Sequence, residues 1–283
     1  MRAFVREHPL AIYLFLAFSL SWWPWPFKLV NPASAPMLPW GPLVGAIVVV
    51  GLAYGRPGLM RLLRATFRWR VHPAWYVVAL LGPVLLWGVP ALAVAAGGNP
   101  PDTALLSDFI LWPVTLIVFG AVQGPLTEEP GWRGLALPLM LRRNSPLVSS
   151  LILGAIWFAW HLPLVIGDTS GQRPLIPYAT FIVAQSVMLT GIYLGTRGSV
   201  FVVIVFHSAV NATASHLMPA FSAEARDSIW LLFAALNVLV AVVVAVLPAF
   251  RRADLESIEA APYERATDRM EETAPLRPAS LTG

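Results

Sequence analysis

The stretch VTLIVFGAVQGPLTEEPGWRG, residues 114–134, runs from an apolar segment directly into two glutamates and an arginine. Glu128, Glu129 and Arg133 lie within six residues of one another, and apolar runs flank them on both sides. A charged side chain at the centre of a bilayer costs about 2.5–3.5 kcal/mol even on the most lenient insertion scale. The stretch therefore predicts a membrane-embedded helix whose charges are kept for a structural or a chemical reason.

The composition of the whole chain indicates a polytopic membrane protein. Its 283 residues are 57% hydrophobic and 12% charged, whereas soluble domains carry roughly 25% charged residues. Apolar runs of about 20 residues, long enough to cross the hydrocarbon core, recur along the chain. Cysteine is absent, which excludes disulfides, thiolate nucleophiles and cysteine-ligated metals. The net charge of +4 flanks the apolar runs, so the lipid bilayer is an expected partner and nucleic acid is not.

The apolar runs predict an all-α fold, a membrane bundle of about eight transmembrane helices. The predicted spans are 9–25, 39–55, 73–96, 106–125, 147–166, 177–196, 199–217 and 228–250. Basic residues fall mainly in alternate connections, namely Arg2, Arg6, Arg56, Arg61, Arg64, Arg68, Arg70, Arg133, Arg142, Arg143, Arg197, Arg251 and Arg252. The other connections hold only Lys28, Arg173 and Arg226. Because arginine-rich connections stay in the cytoplasm, the pattern predicts a multi-pass protein of the cell membrane with both termini cytoplasmic.

Three parts of the chain are predicted. Residues 1–105 form N-terminal transmembrane helices, residues 106–250 form a core that carries the polar clusters, and residues 251–283 form a polar cytoplasmic tail. The tail has seven acids, three prolines and no apolar periodicity, which is typical of disorder. Segment 57–70 mixes apolar residues with arginines and predicts a helix on the cytoplasmic surface. A cleaved signal peptide is the alternative for the first span, because the sequence ASA at 33–35 resembles a cleavage site.

Ionisable and amide side chains form three clusters inside the apolar regions. The clusters are Glu128, Glu129 and Arg133; His161 with Phe158 in FAWH; and His207 with Asn211 in HSAVN. Glu129 and Arg133 are four residues apart and can pair on one helix face, whereas Glu128 points about 100° away and stays available. His207 and Asn211 also share a face, where an imidazole and an amide can hold an oxyanion.

Each cluster also has a purely structural interpretation. Glu129 and Arg133 alone suit a buried ion pair, and His161 suits a packing residue beside neighbouring tryptophans. His207 and Asn211 suit an interhelical hydrogen bond worth under about 1–2 kcal/mol. These interpretations stay open at the level of single motifs.

Proline and glycine predict where the helices that carry these clusters are interrupted. Gly124-Pro125 predicts a kink or break just before the glutamates. Thr127 would then cap a new helical turn with both acids in its first turn. Pro163 follows His161 by two residues and predicts either a bend that opens space there or an ordinary transmembrane proline.

Taken jointly, the three motifs resemble one known family. EEPGWR is E-E-x-x-x-R, FAWH is F-x-x-H and HSAVN is H-x-x-x-N, in this order over roughly residues 110–215. This pattern is similar to the CPBP family of intramembrane proteases, also called the Abi family. The family includes type II CAAX prenyl endopeptidases and bacterial bacteriocin-processing or lysostaphin-resistance-like relatives.

The resemblance implies an endopeptidase of the glutamate or metallo type that cuts a membrane-associated peptide or protein, including a prenylated CAAX-type substrate. It implies that Glu128 activates water as a general base with help from His161. It further implies that His207 and Asn211 stabilise the tetrahedral oxyanion. Glu129 and Arg133 would hold the first motif in place.

Metal dependence and function class keep alternatives. No cofactor is expected, and the alternative is zinc held by Glu128, His161 and His207 with water in the fourth position. The sequence has no H-E-x-x-H motif, and Asn211 is a poor zinc ligand. A non-catalytic immunity or scaffold protein of the same family is the second function class, and a transporter is the third. For a hydrolase, a water-filled cavity is expected to reach the site from the cytoplasmic face.

Overall fold

The computed structural model describes residues 2–31, 34–121, 124–166 and 173–251, and within these ranges it consists of helices joined by short connections, without a β-strand. The predicted tail over 251–283 lies outside the described residues, apart from Arg251. The α-helices are α1 (Arg2–Glu7), α2 (Pro9–Trp22), α3 (Trp25–Val30), α4 (Gly41–Thr66), α5 (Ala74–Ala96), α6 (Thr103–Leu106), α7 (Trp112–Ala121), α8 (Pro125–Gly131), α9 (Leu137–Leu141), α10 (Pro146–Trp160), α11 (Leu162–Ile166), α12 (Leu175–Gly195), α13 (Val200–Leu217), α14 (Ala223–Val246) and α15 (Pro248–Arg251).

The predicted multi-pass helix bundle is confirmed. Within the described ranges, seven helical stretches are long and apolar enough to cross a membrane. They are Pro9–Lys28, Gly41–Thr66, Ala74–Ala96, Thr103–Gly120, Leu175–Gly195, Val200–Ala220 and Ala223–Val246. The remaining predicted span corresponds to α10, an apolar helix that is shorter than the others.

The prediction of one continuous helix over 147–166 is wrong. Helix α10 ends at Trp160, His161 forms its C-cap, and the chain resumes as the separate helix α11. Pro163 explains the interruption, because it has no backbone N–H to donate to the carbonyl of Ala159 and its ring crowds that turn. The bend that Pro163 predicted is therefore present, and it leaves His161 at the end of a helix.

Helix α4 changes direction at Gly55. This residue has φ 62° and ψ −158°, a conformation outside the helical region that glycine adopts without a Cβ clash. The predicted second span ended at residue 55, and the helical segment that follows the break lies within the range predicted as a surface helix. The sequence pattern therefore identified the point at which α4 bends.

Hydrogen bonds between connections define two faces of the bundle. Arg68 Nη1 donates to the carbonyl of Arg197 at 3.1 Å, and Ser199 Oγ donates to the carbonyl of Arg68 at 2.6 Å. These contacts place the connections α4–α5 and α12–α13 side by side. We call this side the arginine-rich face; helix alternation adds the N-terminus, the α9–α10 connection and α15 to it.

The other side, which we call the opposite face, is defined in the same way. Trp22 Nε1 donates to the carbonyl of Trp160 at 2.9 Å, which brings the ends of α2 and α10 together. The backbone N–H of Asp102 donates to the carbonyl of Ala220 at 2.7 Å, which joins the α5–α6 and α13–α14 connections. Among the described residues, the opposite face therefore carries 31, 34–40, 97–103, 161–166, 173–174 and 218–223.

Two central helices position the residues discussed below. Helix α13 packs against α5, α7 and α8, and helix α12 packs against α10 and α14. The short helix α8 also packs on α4, where Gly131 lies against the hydroxyl of Tyr13 and the carbonyl of Pro42. A side chain at position 131 would separate these helices, so glycine permits the close approach that holds α8 inside the bundle.

Candidate functional site

The backbone breaks just before the two glutamates, as Gly124-Pro125 predicted. Gly124 has φ 107° and ψ −78°, and Pro125 takes the first position of α8. The expectation that Thr127 caps this helix is wrong, because α8 begins two residues earlier, where the fixed φ of proline suits the first helical turn. Thr127 Oγ1 instead donates to the carbonyl of Gly124 at 2.8 Å. The break holds both glutamates in a short helix that is followed by a π-helical turn over Trp132–Ala136.

Glu129 forms the predicted ion pair and a second contact that the sequence did not predict. Arg133 Nη1 donates to Glu129 Oε2 at 2.9 Å and to Oε1 at 3.1 Å, and both side chains are fully buried. His207 Nδ1 lies 2.7 Å from Glu129 Oε1. Removing one partner of a buried ion pair typically costs 3–5 kcal/mol, so these charges hold one another in place. Glu129 therefore links the first motif to the third.

Glu128 points away from that pair, as the helical geometry predicted. Its Oε2 accepts a hydrogen bond from Trp157 Nε1 at 2.9 Å, and only 5% of the residue is exposed. Trp157 is a neutral donor, whereas the donor to Glu129 is the charged guanidinium of Arg133. The two adjacent glutamates therefore differ in what binds them.

Hydrogen bonds fix the orientation of both histidine rings. His161 Nδ1 lies 2.8 Å from the carbonyl of Trp157, which can only accept, so Nδ1 carries the proton. The contact between His207 Nδ1 and the carboxylate of Glu129 assigns a proton to Nδ1 there as well. In each ring Nε2 remains for other partners, as is usual for histidines positioned by a second residue.

The four predicted catalytic residues line one cavity of about 670 Å³. Glu128, His161 and His207 are buried, and Asn211 is half-buried on the same wall of α13 as His207. The volume lies within the range of small-molecule and peptide pockets. The three motifs, which are distant in sequence, thus meet around one space. Their catalytic roles remain a prediction.

Opposite to expectation, the cavity does not extend toward the arginine-rich face. Its walls continue to Met37, Arg173 and Pro219, which belong to connections of the opposite face. The reason is that His161 lies at the far end of α10, about 22 Å along that helix from the arginine-rich face. The space next to it is therefore bounded by the connections on that far side.

Trp157 is the main site residue that the sequence analysis missed. Its ring lies 5.2 Å from the ring of His207 and 5.6 Å from that of His161, and the Arg133 guanidinium lies 4.3 Å from its centroid. With its hydrogen bond to Glu128, it contacts all three motifs. Its position four residues before His161 was a usable signal, because that spacing puts both side chains on one helix face.

Gln185 is the second residue that was missed. It lines the cavity from α12 and is fully buried, and neither atom of its amide has a hydrogen-bond partner in the described part of the chain. A buried amide without a partner costs about 1–3 kcal/mol. The available signal was that Gln185 is the only amide side chain in the predicted span 177–196.

The zinc alternative requires Glu128, His161 and His207 to act together as ligands. Among the described residues, no group of three His, Cys, Asp or Glu side chains is placed to hold a metal ion. Glu129, the second carboxylate beside Glu128, is occupied by Arg133 and His207. Metal dependence stays a prediction.

Comparisons with known proteins assign the segment that contains these motifs. A family model described as type II CAAX prenyl endopeptidase Rce1-like matches residues 110–213. A protein named CAAX prenyl protease 2 from Methanococcus maripaludis is 27% identical over 149 residues. Over these residues the chain is similar to type II CAAX prenyl endopeptidases. The aligned region covers 48% of this chain and 53% of the relative, so the chain spans about half the length of the curated relative it matches.

The matched segment, residues 110–213, contains every predicted site residue. It begins beside α7, includes the broken segment with Glu128 and Glu129, and ends two residues after Asn211 in α13. Helices α4, α5 and α14 lie outside it, yet Trp87 of α5 and Trp230 of α14 line the same cavity. The matched segment therefore supplies the four predicted catalytic residues, while helices outside it contribute further apolar walls.

Proposed function

We propose that this protein is an intramembrane endopeptidase that hydrolyses a peptide bond of a membrane-associated peptide or protein. One observation carries the proposal: Glu128, His161, His207 and Asn211, from three separate motifs, line one cavity inside a helix bundle. The family assignment of residues 110–213 supports the same activity. Because the relative from Methanococcus maripaludis is named CAAX prenyl protease 2, prenylated peptides belong to the panel of substrates to be tested.

Glu128 is the proposed general base. It takes a proton from a water molecule while the water oxygen attacks the carbonyl carbon of the scissile bond, and His161 orients that water through Nε2. Glu128 suits this task better than Glu129, because its hydrogen-bond partner is the neutral indole of Trp157. General acid–base catalysis of this kind typically contributes ~10²–10⁴-fold.

His207 and Asn211 are proposed to stabilise the oxyanion of the tetrahedral intermediate. The Asn211 amide donates through its NH₂ group. His207 donates through Nε2 when both ring nitrogens carry a proton, and Glu129 holds the Nδ1 proton. Donors aimed at a developing negative charge in a water-poor site commonly contribute 10²–10³-fold each.

The reaction balances with water as the only co-substrate. When the intermediate collapses, the C–N bond breaks and Glu128 returns its proton to the leaving amine. The second proton of the water stays on the new acid, so the products are one carboxylic acid and one amine. They become a carboxylate and an ammonium group when that proton moves to the amine, and the protein regains its starting protonation.

Apolar side chains favour a substrate with an apolar segment near the scissile bond. Trp87, Phe119, Phe181, Ile182 and Trp230 all line the cavity. They surround the polar cluster and would exclude bulk water from the bound peptide.

The test uses purified protein in detergent with a panel of lipidated and unlipidated peptides that report cleavage. Glu128→Gln keeps the size of the side chain and removes its basicity, so kcat/KM should fall by at least about 10²-fold. Glu7→Gln is the matched control, because Glu7 is an exposed carboxylate in α1 outside the cavity. Cleavage that survives Glu128→Ala at the wild-type rate would refute the proposal.

A further inference from the structure

The cavity ends at one face of the bundle only. Gly124 and His161 line it beside the polar cluster, and its other lining residues near helix ends are Met37, Pro39, Arg173, Met218, Pro219 and Arg226. Of this second set, all but Arg226 lie in connections of the opposite face, and Arg226 lies in the first turn of α14 next to that face. Among the described residues, the lining includes no member of the α4–α5, α9–α10 or α12–α13 connections, which form the arginine-rich face.

The course of α13 gives the direction of the cavity. His207, Asn211, Ser215 and Met218 line it in sequence, a stripe of about 16 Å that runs from mid-helix to the end at the opposite face. The first turns of the same helix are closed, because Val200, Val202 and Val203 are fully buried in the apolar core. Along α13, the cavity therefore extends from His207 toward the opposite face, and packed side chains close the side toward the arginine-rich face.

Helices α12 and α14 run beside this stripe. Tyr178 and Gln185 line the cavity from the first half of α12, and Arg226 and Trp230 line it from the first two turns of α14. Both helices begin at the opposite face. Three helices thus contribute only the halves that lie on that side of the membrane.

Charge orients the two faces. Without the buried Arg133, the described residues of the arginine-rich face, counting α1 and the part of α4 after Gly55, include eleven basic ones, whereas Lys28, Arg173 and Arg226 lie toward the opposite face. A bias of this size in short connections keeps the arginine-rich face in the cytoplasm. The face at which the cavity ends is then the exoplasmic one.

We infer that the substrate reaches Glu128 from the exoplasmic side of the membrane, through the opening between α12, α13 and α14. This inference rests on the proposed peptidase function and specifies its substrate class as an exported peptide or the outer end of a membrane-inserted one. A substrate whose scissile bond stays at the cytoplasmic surface would meet the closed end of α13. The route therefore separates this chain from enzymes that cut cytoplasmic C-termini.

Charge at the opening adds a feature of that peptide. Arg226 is half-buried and lines the cavity, whereas Glu128 is the only carboxylate among its described lining residues. A carboxylate on the outer part of the peptide would be stabilised there. The substrate is accordingly an anionic exoplasmic peptide.

Single-cysteine labelling tests the route without needing activity, because the chain has no cysteine of its own. Ser222 and Ser145 are a matched pair: both are exposed N-cap serines, one on each face. Ser215 is exposed and lines the cavity. In intact spheroplasts, a membrane-impermeant maleimide should label Ser222→Cys and Ser215→Cys, and it should label Ser145→Cys only after lysis. Labelling of Ser145→Cys in intact spheroplasts, or of Ser215→Cys only after lysis, would overturn the inference.

A cleavage arm separates this inference from the proposed function. A membrane-impermeant acidic reporter peptide added outside intact spheroplasts should be cut without lysis. Cleavage that requires lysis would overturn exoplasmic access while leaving the peptidase intact. Absence of cleavage on both sides, with the labelling pattern as expected, would refute the peptidase proposal but not the direction of the opening.

Arg226→Gln tests the anionic preference. KM for an acidic peptide should rise by about two- to fivefold, the value of a partly exposed ion pair, with kcat unchanged. KM for a matched neutral peptide should not change. Arg143→Gln, on the arginine-rich face, is the control and should leave both peptides unaffected. An equal rise in KM for both peptides would contradict a charge-specific role.

Discussion

Gly124→Ala should disable the site by displacing one carboxylate. Gly124 directly precedes α8 and lies over the side chain of Glu128. A Cβ at this position would lie 2.8 Å from Glu128 Oε1, whereas ordinary contact begins at 3.4 Å. The carboxylate would have to retreat by about 0.6 Å, since the backbone on the other side is held by the proline ring. That movement would also disturb the hydrogen bond from Trp157 Nε1.

The expected size of the effect follows from this displacement. A misplacement of about 1 Å in a catalytic group can cost about 10²-fold, so a shift of just over half that distance should lower kcat/KM by about tenfold or more. A second cost is conformational, because φ at Gly124 is 107°, where an alanine is strained by about 1–3 kcal/mol. Stability and activity should therefore both fall, for different reasons.

Gly98→Ala separates the two costs. Gly98 has φ 101°, and a Cβ there would meet no atom within 4 Å. This variant should lose thermal stability in detergent by a comparable amount while keeping its peptidase rate. The comparison is made at a temperature at which both variants remain folded, with the same peptide. If Gly124→Ala retains kcat/KM within about twofold of Gly98→Ala, Glu128 is not placed by its contact with Gly124, and the reasoning fails.

Three further variants test the network around the cavity. Arg133→Met leaves Glu129 buried without its ion pair and should lower the free energy of unfolding by about 3–5 kcal/mol. Adding Glu129→Gln should recover part of this loss. A loss below about 1 kcal/mol would contradict the pairing. Trp157→Phe replaces the indole by a smaller aromatic ring and removes the N–H donor to Glu128. We expect kcat/KM to fall about tenfold with a small change in Tm. Gln185→Leu removes a buried amide without a partner and should raise Tm; a lower Tm would show that the amide is satisfied.

The helices and the pairing inside the first motif were predictable because they depend on local spacing. Apolar runs of transmembrane length identified the bundle, and a separation of four residues identified the contact between Glu129 and Arg133. The break at Gly124-Pro125 was equally local, because both residues have a restricted set of backbone conformations. Features of this kind need no knowledge of which helices are neighbours.

Contacts between helices were not predictable in the same way. The hydrogen bond from His207 to Glu129 joins residues 78 positions apart, and the bond from Trp157 to Glu128 joins residues 29 positions apart. The cavity was expected on the cytoplasmic side because the first motif was counted from one end of its span. The structure ends α10 at Trp160, which carries His161 toward the other face, and the cavity follows it.

The two adjacent glutamates differ in the hydrogen-bond donors that they meet, and this difference underlies the roles proposed for them. Glu129 accepts from Arg133 and His207, so protonating it would leave a buried guanidinium without its counter-charge. Glu128 accepts from a neutral indole, so taking up a proton leaves no charged partner of comparable strength stranded. For that reason the proposed hydrolysis assigns the proton transfer to Glu128 and a structural role to Glu129.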